Sequence, residues 1–311
     1  MKSRHLISIA DLPVEDIHEI FKVTAQLKKA HKRGQRDLCM EGKTLAMIFE
    51  KSSMRTRVSF EVAMAQFGGH AICLAREDIK LGERESVADV ARVISRYVDG
   101  IMIRTFKHSH VEELAKNSTV SVINGLSDFS HPCQALADVY TMIEKGLELS
   151  KMKVAYVGDS NNVARSLALL CAKLNVRLAI ASPKRYSFGP GDRALIARCA
   201  NGPTPVEFIE KPEEAVKDAD VVYTDVWASM GQETEAAQRK KDFSGYAVTT
   251  ALLMHAKPGA FVMHCLPAHR GEEIAADVID GPQSIVVDQA ENRLHVQKAV
   301  LKLLMCPSVK S

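Results

Sequence analysis

The chain has one tryptophan, 5% aromatic residues and no CxxC pair among its seven cysteines. With a net charge of only +3, it has no basic array interleaved with stacking rings, which argues against a nucleic-acid partner. An odd number of dispersed cysteines argues against a disulfide framework and a structural zinc site, and points to a reducing, cytoplasmic compartment. Long apolar runs are missing too: the longest, residues 167–172, is six residues, against the roughly 20 needed to cross a bilayer. Asp11 and Pro13 arrive before a signal-like segment develops, so no membrane or targeting segment is expected. There is no GxxxxGK[ST] loop. Gly158-Asp159-Ser160-Asn161-Asn162 lacks the second and third glycines of a dinucleotide fingerprint, so a nucleotide is not expected.

What is present is a chain of 311 residues, 46% hydrophobic and 25% charged, long enough for two compact units. From Thr44 onward, strand-type runs alternate with helix-type runs, the signature of parallel α/β sheets. Strands are predicted at 44–49, 71–74, 100–104 and 119–123, then at 153–157, 177–181, 205–208, 220–224 and 260–264, which fits two sheets better than one. Ser86 with Asp89 and Ser109 with Glu112 read as helix N-terminal capping pairs. Val87, Val90, Val93, Ile94 and Tyr97 form a packing stripe. Gly146 can stop a helix that begins at Pro132, which places the unit boundary near 146–151 and gives domains 1–148 and 149–290.

The polar clusters fall at or just beyond the C-terminal ends of the predicted strands, where open α/β sheets bind ligands. Ser53-Met54-Arg55-Thr56-Arg57 joins a strand to a helix, so its hydroxyls and backbone N–H groups surround the positive end of a helix dipole and suit an anion. Arg104 ends another strand. Two arginines converging on one point suit a phosphate, because the guanidinium fork stays charged and donates paired bonds. Arg57, by contrast, has Glu61 one helical turn on and reads as a structural ion pair. His131, before Pro132, and Gln134 can face the same pocket and donate to a carbonyl oxygen that gains charge during attack. In the second half, Asn161-Asn162, Asp225 and His264-Cys265 occupy strand ends. His264, Cys265 and His269 lack a second cluster of ligands, so no metal is expected.

The segments Phe49-Glu50-Lys51-Ser52-Ser53-Met54-Arg55-Thr56-Arg57, His131-Pro132-Cys133-Gln134, Asp225-Val226-Trp227-Ala228-Ser229-Met230-Gly231-Gln232-Glu233 and His264-Cys265-Leu266-Pro267 together resemble the aspartate/ornithine carbamoyltransferase family. SxRTR and HPxQ mark the family at large; the SMG loop and HCLP mark its ornithine-type branch. The resemblance implies two α/β domains, each a parallel sheet flanked by helices, with the active site in the cleft between them and the C-terminal helix 291–311 packed back onto the first. It implies that Ser53, Met54 (through its backbone), Arg55 and Thr56 hold the phosphate of carbamoyl phosphate. Arg104 then bridges phosphate and carbonyl oxygen, His131 and Gln134 orient the carbamoyl group, and Arg293 closes on it. On the acceptor side, Asn162 meets the ornithine α-carboxylate, and Asp225, Ser229 and Met230 hold the α-amino end. Cys265 and the Leu266 carbonyl lie near the δ-amine, with a cis Leu266–Pro267 bond. Arg55, Arg104, His131 and Cys265 are the catalytic set.

The implied reaction is carbamoyl transfer from carbamoyl phosphate to L-ornithine, without a cofactor, in a homotrimer or a multiple of trimers. Two departures stand out: Met54 replaces the family's usual threonine, and Lys80 stands where glutamine is expected. The alternatives are a carbamoyltransferase acting on putrescine or aspartate, and a non-catalytic homologue that binds a phosphorylated metabolite.

Overall fold

The structure, a computed structural model, describes residues 1–228 and 233–306. The chain forms two compact units, residues 1–140 joined by residues from 291 onward, and Thr141–Ala290. The second unit is thus inserted into the first.

The first unit holds a four-stranded sheet: β1 (Thr44–Phe49), β2 (His70–Ala75), β3 (Gly100–Arg104) and β4 (Ser121–Leu126), ordered β2-β1-β3-β4. All its pairings are parallel. β1 and β3 are covered on both faces and read as unbroken apolar runs, as strands of a parallel sheet must. Ile48, Ile101, Ile103, Val111, Leu114 and Val122 belong to one fully buried cluster beneath the helices. Removing water from each such side chain contributes roughly 1.5–3 kcal/mol.

The closing helix, Val286–Met305, returns to this sheet. Its Lys298 donates to Gln66 at 2.8 Å, and Met305 lies so close to Gly100 that a Cβ there would meet its sulfur at 2.7 Å. Any larger residue at 100 must displace the Met305 side chain.

The second unit holds β5 (Lys153–Val157), β6 (Arg177–Ala181), β7 (Val206–Ile209), β8 (Val221–Thr224) and β9 (Phe261–His264), ordered β7-β6-β5-β8-β9 and again all parallel. Among the described residues, no helix is long and apolar enough to cross a membrane.

Two local expectations need correction. β4 runs to Leu126 rather than stopping at 123, because the polar Asn124 is fully buried and donates its side-chain amide to the Ile7 carbonyl at 2.8 Å. Ser109 is not a cap: the helix starts at His108, whose N–H is taken by Asp128 Oδ1 at 3.0 Å. The Ser86 cap is as expected, accepting from the Asp89 N–H at 3.1 Å. That helix ends at Ile94, so Val93 and Tyr97 of the expected packing stripe are exposed, while Val87 and Val90 are buried.

Topology decides where ligand groups can gather. In each sheet the chain runs outward from a central strand in both directions, so the loops after two neighbouring strands diverge and leave a crevice at their C-terminal ends. The switch lies between β1 and β3 in the first unit and between β5 and β8 in the second.

Candidate active site

At the first switch point, β1 ends at Phe49, in register with Arg104 of β3. Ser53 then caps the helix Met54–Gln66, its hydroxyl accepting the Thr56 N–H at 3.3 Å. The Thr56 Oγ1 is a meeting point: Ser53 Oγ lies at 3.1 Å, Arg293 Nη2 donates to it at 3.2 Å and Arg104 Nη1 at 3.5 Å. Arg293 also donates to Gln134 Oε1 at 2.6 Å, and Gln134 in turn donates to Asp138 at 2.7 Å. Thr56, Arg104, His131, Gln134 and Arg293 are all buried, and Arg55 is half-buried beside them in the same helix turn. The structure therefore brings residues from the start of the helix Met54–Gln66, β3, the helix Pro132–Glu144 and the closing helix to one place.

His131 registers the field they create. Its pKa is held well below the ordinary histidine value, first by burial and then by the charges of Arg293, Arg104, Lys51 and Arg55. Four cations acting on one imidazole mark a strongly electropositive pocket, and the ring stays neutral at pH 7. A neutral ring can donate a hydrogen bond to a polarised oxygen without adding charge. Lys51, absent from the expected site residues, also lies 5.1 Å from the Phe106 ring centroid.

Met54 points away, 72% exposed, so only its main chain is available to an anion. Arg57 pairs with Glu61 at 3.0 Å, as its spacing predicts. Lys80 is exposed and ends a short helical turn in the left-handed conformation at φ 41°.

At the second switch point, β5 is followed by Gly158, whose φ of 148° suits only glycine, and β8 runs directly into Asp225. Asp225 is buried and already held: its Oδ1 accepts from the Cys265 thiol at 2.9 Å and the Val226 N–H at 2.8 Å, and its Oδ2 accepts from Asn161 Nδ2 at 2.8 Å. The sequence places Asn161 at the strand end but assigns it no role. Its Oδ1 caps the helix Asn162–Leu174 through the N–H groups of Val163 and Ala164, while its amide nitrogen orients the carboxylate. The strong preference for asparagine at that cap was the signal available. Asn162, the first residue of the helix, is half-buried next to it. Ser229 and Met230 lie outside the described residues.

His264 organises the other wall. Its Nδ1 accepts the Leu266 N–H at 2.9 Å, which leaves the proton on Nε2, 3.2 Å from Glu273 Oε1. Glu273 is fully buried. Burial raises its pKa, but the bonds from His264 and from the His269 N–H outweigh this and hold it below the ordinary glutamate value. Leu266 and Pro267 are joined by a cis bond, and Leu266 has φ 58°.

A further pair supports the segment after β8: Arg239 donates to Asp159 Oδ2 at 2.9 Å and to the Trp227 carbonyl at 2.9 Å, with its Nε at 3.1 Å from Glu235. This long-range link was also missed. Burial drives Asp159 up to about 6 against the pull of Arg239.

Asp225–His264–Cys265 and His269–Glu272–Glu273 each bring three possible metal ligands within 4.8 Å. In the first group, His264 and Cys265 are already engaged in the bonds just described, which a cation would have to displace.

Comparison with known proteins divides the chain at nearly the same point, with the closing helix counted in the second family domain. Residues 4–144 match the family model "Aspartate/ornithine carbamoyltransferase, carbamoyl-P binding domain", and residues 150–304 match "Aspartate/ornithine carbamoyltransferase, Asp/Orn binding domain". The ornithine carbamoyltransferase of Pyrococcus abyssi is 53% identical over 308 residues, covering 98% of this chain and 96% of the relative. That of Thermococcus kodakarensis is 51% identical over 306 residues, covering 98% and 97%. The solved structure of the Pyrococcus furiosus ornithine carbamoyltransferase superposes with a TM-score of 0.94 at 53% identity, covering 98% of this chain and 97% of that one. With both family domains matched end to end and the chemistry gathered at both switch points, the chain belongs to the aspartate/ornithine carbamoyltransferase family.

Proposed function

We propose that the chain transfers the carbamoyl group of carbamoyl phosphate to the δ-amine of L-ornithine, giving L-citrulline and phosphate without a cofactor. The observation that carries the reading is the pairing of a cationic pocket at one switch point with a carboxylate–thiol–amide cluster at the other. The phosphate sits against the start of the helix Met54–Gln66, held by Ser53, the Met54 main chain, Arg55 and Thr56. Arg104, His131, Gln134 and Arg293 surround the carbamoyl oxygen. Asn162 takes the α-carboxylate of ornithine. Asp225, with Ser229 and Met230, takes the α-ammonium, and Cys265 and the Leu266 carbonyl border the δ-amine.

The amine nitrogen attacks the carbonyl carbon, a C–N bond forms and the C–O bond to phosphate breaks, its electron pair leaving with phosphate as the nitrogen gives up a proton. An alkyl amine with a pKa near ~10.4 is neutral in roughly one molecule in two thousand at pH 7, a deficit of about 4–5 kcal/mol that desolvation beside Cys265 reduces. Arg55, Arg104 and His131 stabilise the oxygen charge of the tetrahedral intermediate and the departing phosphate. Domain limits of 1–148 and 149–290, with the closing helix serving the first domain, fit this division of labour.

The names of the relatives support ornithine as acceptor, and the chemistry does too: aspartate asks for cations around two carboxylates, and putrescine has no carboxylate for Asn162. A cytoplasmic homotrimer, or a multiple of trimers, with no nucleic-acid or membrane partner completes the proposal. Support for assembly comes from the exposed apolar Met54, Val58 and Ile72 on the first unit. Initial rates with carbamoyl phosphate and ornithine, putrescine or aspartate test the reading. Citrulline formation well above the other two rates is expected, and no citrulline, or a preference for either competitor, overturns it.

A further inference from the structure

Cys39 and Cys306 stand 267 positions apart and meet in the first unit. Cys39 lies in the segment leading to β1, and Cys306 directly follows the closing helix. The Cys306 thiol donates to the main-chain oxygen of Cys39 and lies 3.4 Å from Met40 Sδ. Both residues are half-buried, so a small reagent can reach them.

Their surroundings divide the roles. Lys43 Nζ is 3.4 Å from Cys306 Sγ and also donates to the Met305 carbonyl, which fixes an ammonium beside that sulfur. Cys39 is the opposite case: burial, the neighbouring Cys306 and Asp37 push its thiol up to about 12. Of the other cysteines, Cys133 and Cys171 are buried and the Cys265 thiol is bonded to Asp225.

We propose that Cys39 and Cys306 form a thiol–disulfide exchange site that closes on reaction with a small-molecule disulfide, joining the end of the closing helix to the segment before β1. Cys306 loses its thiol proton to solvent, and its sulfur attacks the reagent, RSSR, forming a mixed disulfide and expelling RS⁻. The Cys39 thiol then loses its proton to solvent, and its sulfur attacks Cys306 Sγ and expels the second RS⁻. The chain loses two hydrogens, the reagent gains them as two RSH, and excess dithiol reverses the reaction. The expectation of dispersed thiols from the sequence holds for spacing along the chain but not for this pair in space. Because the bond closes a loop of nearly the whole chain, the oxidised form should resist unfolding.

The test uses the full chain and glutathione disulfide under native conditions, read by thiol titration after denaturation, intact mass and peptide mapping. The expected result is two fewer titratable thiols, no retained glutathione, and one linked peptide pair containing residues 39 and 306. Oxidised chain should melt higher by roughly 5 °C or more, with dithiothreitol restoring the original value. Cys39→Ser should stall at a lasting glutathione adduct on Cys306, and Cys306→Ser should leave Cys39 unmodified. A lasting glutathione adduct on the unaltered chain, a link between other cysteines, or modification elsewhere with this pair untouched overturns the proposal. None of these outcomes depends on the carbamoyl-transfer reading.

Discussion

At the ends of β1 and β3 the first unit gathers arginines around an imidazole kept neutral by burial and by their charge. At the ends of β5 and β8 the second unit gathers a carboxylate, an amide and a thiol that already hold one another. Both clusters exploit the same topological crevice. They differ in what a ligand must supply. In the first, positive charge has been concentrated at the cost of His131's own protonation, so an incoming dianion relieves a repulsion. In the second, Asp225 is oriented by three donors before any ligand arrives, so a bound amine completes a preset geometry. On the proposed function, one site recognises by charge and the other by shape and direction.

The largest effect that tests this contrast is Arg104→Ala. If Arg104 answers charge developing on the carbamoyl oxygen and phosphate, kcat for citrulline formation should fall on the order of 10²–10³-fold. A raised KM with unchanged kcat would assign it to ground-state binding alone. Next comes Asp225→Asn, which keeps the shape and removes the charge. Ornithine KM should rise by roughly 30-fold, about 2 kcal/mol for a lost charge-assisted bond, with carbamoyl phosphate KM nearly unchanged. Equal losses for both substrates would break the division between the two clusters.

The smallest effect sharpens the comparison through pH. Asp159 sits at about 6 in the folded chain, above the ordinary aspartate value of 3.8. The folded state therefore binds this proton more tightly than the unfolded one, and stability from this group does not fall as pH drops from 7 to 5; it is lost as pH rises through 6. What falls on acidification is the ion pair with Arg239, and with it the hold on the Trp227 carbonyl. Ornithine KM should rise a few-fold as pH falls through about 6, and Arg239→Lys should raise it at pH 7 and flatten that dependence. An unchanged pH profile in the lysine variant would remove Arg239 from acceptor binding. Carbamoyl phosphate KM should show no step near 6.5 from His131, because that ring is already neutral.

Much of the fold was legible because parallel strands buried on both faces are continuous apolar runs: β1, β3, β5 and β6 have the bounds their sequences predict. β4 was cut short because a buried asparagine looks like a turn until its partner, the Ile7 carbonyl, is known. Ser109 looked like a cap because the true partner of the helix start, Asp128, lies 20 positions away. The cationic cluster was readable where its members share a local motif, as Ser53 to Thr56 do. Arg293 needed family resemblance, since nothing near it in sequence signals that it meets Thr56 from 237 positions away. Arg239, and the role of Asn161, escaped because their meaning lies in side chains brought to them by the sheet, and pattern along a chain carries no such information.

One consequence of the insertion of the second unit concerns synthesis rather than catalysis. Because Arg293 reaches Gln134 from the closing helix, a bond within the first unit forms only after the whole inserted unit has been synthesised. A product released before residue 293 can bear Ser53 and Arg104 around Thr56 and still lack that closing bond.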